Sequence, residues 1–542
     1  MDRCDTGDLG RARLIADRLG LIRPIVEQPE YNLLERSKVE LEFSPLYEKY
    51  GLGLTTWSPL SFGTLTGKYS AGTPAGSRMA TPATKDYISN FDDRVAKADT
   101  LKPVAEELGC SMAQLAIAWC LSNDKVSTVM IGASSPEQLK QNIKSLEVVA
   151  KLTPEVKAKI DAVVPICVKP AALDMLSGIR ARHFIPITMS TTTADKSTRM
   201  PHQLLGKSGL IVSRLSLGSW MWADDKCTPE RWYEMMKVAF EHGVNFFDNA
   251  EIYGNGQAER NMGAAIKMGI ADGVWSREDL VVTTKVFFGS KGWFEGSPND
   301  QGVSRKHIVE GTKASLKRLE LDYVDVIFCH RSEPYTPMEE MVRAMNYVIE
   351  QGWAFYWGTS QWSAAEFIEA CEIADRLGLI RPIVEQPEYN LLERSKVELE
   401  FSPLYEKYGL GLTTWSPLSF GTLTGKYSAG TPAGSRMATP ATKDYISNFD
   451  DRVAKADTLK PVAEELGCSM AQLAIAWCLS NDKVSTVMIG ASSPEQLKQN
   501  IKSLEVVAKL TPEVKAKIDA VVPICVKPAA LDMLSGIRAR HL

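Results

Sequence analysis

Residues 304–329 have the sequence SRKHIVEGTKASLKRLELDYVDVIFC, in which a helix signal directly precedes a strand signal. Ser304 is a favourable N-cap residue for an amphipathic helix that runs to Leu319. The segment Tyr323–Cys329 is short and almost entirely apolar, which is typical of a parallel strand buried on both faces. The stretch therefore predicts one helix–strand unit of an α/β protein.

The same alternation continues on both sides of this unit, from residue 201 onward. Helix starts are indicated by the capping box Ser469-x-x-Gln472 and by Thr511-Pro512. Eight strands with helical crossovers match a (β/α)₈ TIM barrel, although an open doubly wound sheet would show the same alternation. The further predicted strands are Leu215–Gly218, Asn245–Asp248, Leu280–Lys285, Ala354–Gly358, Ile383–Glu385, Leu410–Trp415 and Val487–Ile489.

Composition excludes several classes of protein. The 542 residues are 44% hydrophobic and 24% charged, with a net charge of −4, so nothing favours a nucleic-acid partner or an anionic membrane. No apolar run approaches the roughly 20 residues needed to span a bilayer. The acidic N-terminus lacks the features of a secretory signal, and the ten cysteines show no Cys-x-x-Cys spacing. We expect a reduced, cytoplasmic protein without direct membrane insertion.

A long internal duplication dominates the organisation of the chain. Residues 15–183, the upstream copy, recur without change as residues 373–541, the downstream copy. We expect an unmatched leader (1–14), a truncated duplicate (15–183), a linker (184–200) and a complete barrel (201–542). The polar stretch from Met189 resembles the start of a protein, so one hypothesis is read-through from a truncated gene copy. A transcript lacking residues 1–188 would then identify a gene-model error.

The upstream copy contains counterparts of only the last three predicted strands. It carries Trp57, Lys68, Arg78 and Gly132, but no counterpart of the polar residues described below. We therefore expect it to be non-catalytic and to leave strand edges open. Chain continuity at residues 372–373 favours the downstream copy as the one that completes the barrel, because the upstream copy would have to close a long linker loop.

Two glycine-containing motifs resemble nucleotide-binding loops and fail on inspection. The segment 254–259, GNGQAE, lacks the third glycine of a dinucleotide fingerprint. The segment 206–208, GKS, has proline where a phosphate loop requires its first glycine. The six histidines are scattered and form no metal-binding pair, so no metal site is predicted.

Four polar residues lie at or just beyond the C-terminal ends of successive strands: Asp248, Tyr253, Lys285 and His330. In a parallel barrel these ends converge on the face that carries the chemistry. An ammonium such as that of Lys285 stabilises a nearby phenolate, and Asp248 would balance its charge. His330 could orient a carbonyl oxygen while Tyr253 protonates it. Taken singly, each residue also fits a cap, a surface charge or a packed strand end, but their joint placement favours a proton-donor site.

Six segments within residues 204–527 resemble the aldo-keto reductase superfamily. Within it, they are most similar to the β-subunit group of voltage-gated potassium channels, and particularly to its plant-like members. The segments are FDNAEIY (247–253), GVSRKHIVEGTKASLKRL (302–319), YWGTS (356–360), EQPEY (385–389), TWSPL (414–418) and QLAIAWC (472–478).

The resemblance implies a barrel that binds NADP(H) without a Rossmann domain and transfers hydride to a small carbonyl substrate. It implies that Tyr253 donates a proton, that Lys285 and Asp248 tune it, and that His330 orients the substrate. Among the cofactor residues, Trp415 would stack on nicotinamide. The implied cofactor contacts are Gly218, Ser219, Trp220, Asp248, Ser360, Gln361, Gln386, Trp415, Ser416, Pro417, Leu418, Ser419, Lys426, Ser435, Arg436, Gly490, Ser492, Gln496, Gln499 and Asn500.

Two departures from the animal channel subunits are visible. His330 stands where animal members commonly have Asn and matches the competent reductases, which favours catalysis. Gln499 stands where they have Glu, which implies an altered adenine contact. The resemblance also implies a potassium channel α subunit as a partner and a homotetramer, while the substrate pocket would be formed by loops such as residues 287–302.

Overall fold

The chain divides into two compact units, Met1–Ile179 and Arg180–Leu542. The predicted linker lies outside the described residues except for Met200. The computed structural model describes residues 6–44, 46–47, 51–74, 76–80, 90–166, 200–220, 227–433, 435–438, 448–524 and 538.

The second unit is built on a closed barrel of eight parallel strands, which settles the choice between a barrel and an open sheet. The first and last strands close it, with Leu215 opposite Val487 and Leu217 opposite Ile489. The strands are β6 (Leu215–Gly218), β7 (Phe246–Asp248), β8 (Val281–Val286), β9 (Val324–Cys329), β10 (Ala354–Ser360), β11 (Val384–Gln386), β12 (Gly411–Thr414) and β13 (Val484–Ile489).

Helices connect these strands, and their starts follow local capping chemistry. The hydroxyls of Ser304, Ser469 and Thr511 accept hydrogen bonds from backbone N–H groups of their first turns, as predicted. The described α-helices of this unit span Pro229–Glu241, Gln257–Ala271, Arg305–Leu319, Met338–Glu350, Ala364–Leu377, Ser402–Lys407, Phe449–Thr458, Lys460–Glu465, Met470–Leu479, Pro494–Ile501, Ser503–Val507 and Pro512–Val521.

A short hairpin, β4 (His202–Leu204) with β5 (Ile211–Ser213), contacts the barrel where β11 and β12 begin. Gly206 lies in its turn with a φ of +58°, and a Cβ there would stand 2.5 Å from the carbonyl oxygen of Gly409. The Lys207 N–H donates to that same oxygen at 2.9 Å. The hairpin thereby ties the start of the barrel sequence to the downstream copy.

The last three strands of the barrel come from the downstream copy, so the downstream copy completes the fold. The upstream copy forms instead a three-stranded parallel sheet within the first unit, with its strands in the order in which they occur along the chain. Its strands and described α-helices are β1 (Val26–Glu27), β2 (Gly53–Thr56), β3 (Val126–Val129), Thr6–Leu19, Phe91–Thr100, Lys102–Glu107, Met112–Leu121, Pro136–Ile143, Ser145–Val149 and Pro154–Val163.

The structural likeness of the two copies extends beyond their identical residues. The helix Thr6–Leu19 corresponds to Ala364–Leu377, although its first nine residues belong to the segment expected to be an unmatched leader. Leu9 is buried in the upstream core, at the position that Phe367 occupies in the barrel. A helical, partly apolar stretch was enough to take this place without sequence identity.

In the described part of the chain, no single helix is long and apolar enough to span a membrane. Two sharply bent helix pairs, Phe91–Glu107 with Met112–Leu121 and Phe449–Glu465 with Met470–Leu479, meet the length and hydropathy requirement only when each pair is taken together.

Candidate active site

Asp248 and Lys285 form a completely buried ion pair at the C-terminal ends of neighbouring strands. Asp248 is the last residue of β7, and its Oδ2 accepts a hydrogen bond from Lys285 Nζ. The other carboxylate oxygen accepts from Thr283 Oγ1 at 2.7 Å. Lys285 Nζ also donates to the carbonyl oxygen of Asn249 at 2.7 Å. Burial lowers the pKa of Lys285, and the Asp248 carboxylate opposes this shift. A carboxylate at hydrogen-bonding distance offsets part of the cost of burying an ammonium.

Tyr253 meets this ammonium from the loop that follows β7. Its hydroxyl lies 3.4 Å from Lys285 Nζ, and its ring centroid lies 5.1 Å from the same atom. Gly254 and Asn255 have φ values of 56° and 52°, which turn the chain sharply after the tyrosine. The half-buried phenol is thus held between the buried ammonium and the cleft described below.

His330 completes the group from the end of β9. Its ring centroid lies 5.9 Å from that of Tyr253 and 5.1 Å from that of Phe288, both in edge-on geometry. Burial, reinforced by the positive charges of Arg331 and Lys285, holds the pKa of His330 well below its usual value. The imidazole is therefore neutral at pH 7, with one N–H available as a donor. Its Nδ1 is buried and makes no hydrogen bond to the described residues.

A buried carboxylate behind the group had no sequence signal that singled it out. Glu251 accepts hydrogen bonds from the backbone N–H groups of Phe287 and Gly289 at 2.7 and 2.8 Å. It also lies 3.0 Å from His307 Nε2. Glu251 therefore fixes the start of the loop that carries Phe288 against His330. Its partners are mainly backbone groups, which leave no trace in a sequence pattern.

Three of the four polar residues, Asp248, Tyr253 and His330, line a cleft of about 400 Å³, and Lys285 lies buried behind them. Thirteen predicted cofactor residues besides Asp248 line it, together with Trp293 from the loop 287–302, where the substrate pocket was expected, and with Arg331 and Phe420, which were not predicted. The thirteen are Gly218, Trp220, Ser360, Gln386, Trp415, Ser416, Pro417, Leu418, Lys426, Ser435, Gly490, Ser492 and Gln496.

Of the other predicted cofactor residues, the five whose side chains the structure describes do not line this cleft. Ser419 is buried and accepts from Arg452 at 2.9 Å, while Asn500 donates to the Gly490 carbonyl at 3.4 Å, so both support lining segments from behind. Ser219 is buried, and its N–H donates to the Asp248 carbonyl oxygen at 3.0 Å.

The last three predicted cofactor residues are Gln361, Gln499 and Arg436. Gln361 Oε1 accepts from Lys396 at 3.4 Å. Gln499 lines a separate groove beside Lys498. Arg436 begins a short 3₁₀ segment, and its side chain lies outside the described part of the structure.

The loop after β12 has a backbone shape that needs external support. Ser416, Ser419 and Phe420 have φ values of 57°, 46° and 57°, in the left-handed region that non-glycine residues rarely occupy. Asn390 Nδ2 donates to the Ser416 carbonyl oxygen at 3.0 Å, and the Phe420 N–H donates to Ser416 Oγ at 3.2 Å. Left-handed residues of this kind concentrate at ligand sites, where the surrounding structure holds them in place.

The residues of the cleft fit a phosphate-bearing nicotinamide cofactor. Trp415 offers a half-buried aromatic face, and Lys426 offers an exposed ammonium at the cleft edge. Ser435 Oγ also lines the cleft, is buried, and makes no hydrogen bond to any described residue, as expected of a hydroxyl that binds a ligand. The donors suit anionic oxygens and the aromatic ring suits a planar ring system.

Comparison with known proteins agrees with this geometry. The sequence profile of the Aldo/keto reductase family matches residues 7–165 and 214–523. A protein of Arabidopsis thaliana named "Probable voltage-gated potassium channel subunit beta" is 54% identical over 327 residues, covering 60% of this chain and 97% of that protein. A protein of the same name from Oryza sativa subsp. japonica is 54% identical over 326 residues, again covering 60% and 97%.

These matches confirm the resemblance predicted from the sequence. The first profile segment falls on the upstream unit and the second on the barrel, in agreement with a duplicated half. This chain belongs to the aldo/keto reductase family.

Proposed function

We propose that the barrel is an NADPH-dependent reductase that converts small aldehydes or ketones to alcohols. Membership of the aldo/keto reductase family supports an oxidoreductase. The observation that carries the finer proposal is the Tyr253 hydroxyl, 3.4 Å from an ammonium that is itself paired with a buried carboxylate. That arrangement suits a phenol that must release a proton at neutral pH.

Tyr253 donates its proton to the carbonyl oxygen of the substrate. The Lys285 ammonium stabilises the phenolate left behind, and Asp248 keeps that ammonium charged in spite of its burial. The neutral imidazole of His330 donates its N–H to the same carbonyl oxygen and orients it. Bound NADPH supplies the hydride that the carbonyl carbon receives, so that C=O becomes CH–OH.

The cofactor is held by the lining residues in three groups. Trp220, Ser360, Gln386 and Trp415 bind and orient the nicotinamide end, and Gln386 Nε2 also donates to Asp248 Oδ1 at 3.3 Å. The phosphates would be held by Ser416, Lys426 and Ser435 of the cleft lining, with Ser419 supporting the loop from behind and Arg436 as a further donor, since ammonium and guanidinium groups suit phosphate oxygens. The adenosine end would be held by Gly490, Ser492 and Gln496, which line the cleft, while Asn500 supports this segment through the Gly490 carbonyl oxygen and Gln499 faces a separate groove.

The test is NADPH oxidation by the full-length chain against a panel of aromatic and aliphatic aldehydes. We expect turnover that falls about 10²- to 10⁴-fold in Tyr253→Phe, because the phenylalanine cannot donate a proton. NADPH affinity, measured by quenching of its fluorescence, should change little in that variant. Undiminished turnover in Tyr253→Phe would contradict the proposed proton donor, and absence of NADPH binding would contradict the cofactor assignment.

The second candidate function is that of a cytoplasmic β subunit of a voltage-gated potassium channel, assembled as a homotetramer. The observation that favours it is the 54% identity to two plant proteins bearing that name. Co-purification of the full chain with a plant channel α subunit would test this role. Tight NADPH binding without turnover, together with co-purification, would favour a redox-sensing subunit over a reductase.

A further inference from the structure

The upstream copy keeps the unusual loop that the proposed function assigns to cofactor phosphates. Ser58 and Phe62 both have a φ of 55°, against 57° for their counterparts Ser416 and Phe420 in the barrel. A left-handed backbone is unfavourable for non-glycine residues, so its recurrence requires support from neighbouring groups.

That support comes from within the upstream copy itself. Arg94 donates to Ser61 Oγ at 2.9 Å and to a Glu35 carboxylate oxygen at 2.6 Å. Arg452 makes the two corresponding hydrogen bonds in the barrel at the same distances. The shape of the loop is therefore independent of residues 201–360, which the upstream copy lacks.

The segment that corresponds to the adenosine end is equally self-contained. The Ser134 N–H and Oγ lie 2.6 and 2.9 Å from Gln138 Oε1. Ser492 and Gln496 repeat this arrangement in the barrel at 2.6 and 3.0 Å. Both segments thus have the same internal geometry whether or not a barrel surrounds them.

The groups that would meet phosphate are also preserved. Lys68 Nζ lies 4.8 Å from the centroid of the Tyr69 ring, and Lys426 has the matching contact at 4.9 Å. Both ammonium groups are exposed. Ser77 Oγ, like Ser435 Oγ, is buried without a hydrogen bond to the described residues. A hydroxyl left in this state in both copies indicates an absent partner.

The nicotinamide end, by contrast, is incomplete in the upstream copy, which keeps only Gln28 and Trp57 as counterparts of Gln386 and Trp415. Trp220, Ser360 and Asp248 belong to the part of the barrel that is not duplicated. Phe420 is only 8% exposed and its ring centroid lies 5.9 Å from that of Trp220, whereas Phe62 is half-buried. An upstream site would therefore bind the phosphate-bearing half of a dinucleotide and make few contacts with the other half.

We infer that the upstream copy is a second, non-catalytic nucleotide site, which binds the adenosine-phosphate half of NADP(H) through residues 57–74, 76–77 and 132–142. The inference rests on the proposed function, since the ligand class is that assigned to the barrel. One chain then binds two equivalents of such a nucleotide and reduces substrate at one of them.

Isothermal titration of the full chain with 2′,5′-ADP, and separately with NADPH, tests the inference. We expect two equivalents of 2′,5′-ADP per chain in the unaltered protein. Lys68→Ala should weaken one equivalent about tenfold, and Lys426→Ala should weaken the other by a similar factor, since each removes one charge-assisted bond. The two lysines occupy identical and exposed positions, so each variant is the folding control for the other.

The two sites should also differ in their response to the nicotinamide. The barrel site should bind NADPH more tightly than 2′,5′-ADP, while the upstream site should discriminate much less between the two ligands. One equivalent that is weakened by Lys426→Ala and untouched by Lys68→Ala would overturn the second site and leave the proposed function intact. Absence of any binding would overturn both.

Discussion

The upstream and downstream copies have one sequence and two environments. Their local structure is the same, as in the helices Met112–Leu121 and Met470–Leu479 with their capping boxes. Their burial differs sharply: Leu139 is 41% exposed, and its counterpart Leu497 is completely buried. The sequence of the copy therefore determines its helices and strands. The burial of side chains such as Leu497 depends in addition on contacts with residues 201–360, which only the downstream copy makes.

The strands show the same contrast at their edges. In the barrel, β13 pairs with both β12 and β6, and all six of its residues are buried. In the upstream copy, β3 pairs with β2 and stands at an edge of its sheet, and its four residues are half-buried or exposed. A neighbour on the second side thus adds two residues to the strand.

The largest expected difference concerns hydrogen exchange in these two strands. Residues 126–131 and 484–489 yield the same peptide, VSTVMI, so one peptide reports both environments. We expect a bimodal deuterium envelope with rates that differ at least about a hundredfold, because the edge strand opens locally and the barrel strand opens with global unfolding. The buried helix peptide MAQLAIAWCL is the control for digestion and labelling. A single slow population for VSTVMI would show that the upstream edge is covered.

The next comparison substitutes matched leucines. Leu497→Ala should lower the free energy of unfolding by about 2–5 kcal/mol, because it leaves a cavity beneath a packed helix. Leu139→Ala should cost less than about 0.5 kcal/mol, since that side chain is largely exposed. Calorimetric unfolding of the full-length variants measures both changes. Equal losses would contradict the difference in burial.

A buried carboxyl in the barrel should make stability depend on pH. Burial raises the pKa of Glu385 to about 7, with Lys396 opposing the shift. Between pH 4.5 and 7 the folded state keeps a proton that the unfolded state has released, so stability falls as pH rises through this window. The full loss is on the order of 3 kcal/mol.

Glu385→Gln should flatten that dependence when the unfolding midpoint is measured between about pH 5 and pH 8. Glu27→Gln is the matched control, since it leaves the barrel unchanged. A variant Glu385→Gln with the pH dependence of the unaltered protein would assign the effect to another group.

The smallest expected effect is the loss of a helix N-cap, and it should be the same in both copies. Ser111 and Ser469 each accept a hydrogen bond at 3.2 Å from the N–H of the glutamine three residues on. We expect Ser111→Ala and Ser469→Ala to cost about 1 kcal/mol each, because capping depends only on the local turn. Urea unfolding followed by circular dichroism measures the two losses. A clearly larger loss at Ser469 would show that tertiary packing strengthens the cap.

The helices and strands could be predicted from the sequence because capping residues and apolar segments act locally. Leu215–Gly218 was predicted with its observed bounds, and the cap at Ser304 is confirmed. Closure of the barrel was not decided by the sequence, since the pairing of β6 with β13 joins strands about 270 residues apart and an open sheet has the same alternation.

The residues of the candidate site could be predicted from the sequence where a polar side chain stands at or just after the C-terminal end of an apolar strand. Asp248, Tyr253, Lys285 and His330 lie together in the structure for that reason. Glu251 was missed although it lies only three residues beyond Asp248, because its role depends on backbone groups of another loop. Residues 6–14 have no sequence match in the downstream copy, yet they form most of a helix that corresponds to Ala364–Leu377 and bury Leu9 at the position of Phe367.

Completion of the barrel by the downstream copy also has a consequence for the order of synthesis. The ribosome produces the upstream copy first, residues 201–360 next and the downstream copy last, and domains generally fold as they emerge. Throughout that interval, the upstream copy is the only complement within reach of the half-built barrel. Residues 201–360 can therefore pair with the upstream copy before the downstream copy, which completes the native barrel, has been synthesised. The hairpin at residues 202–213 can form its hydrogen bonds to Gly409 and Val484 only when translation is nearly finished.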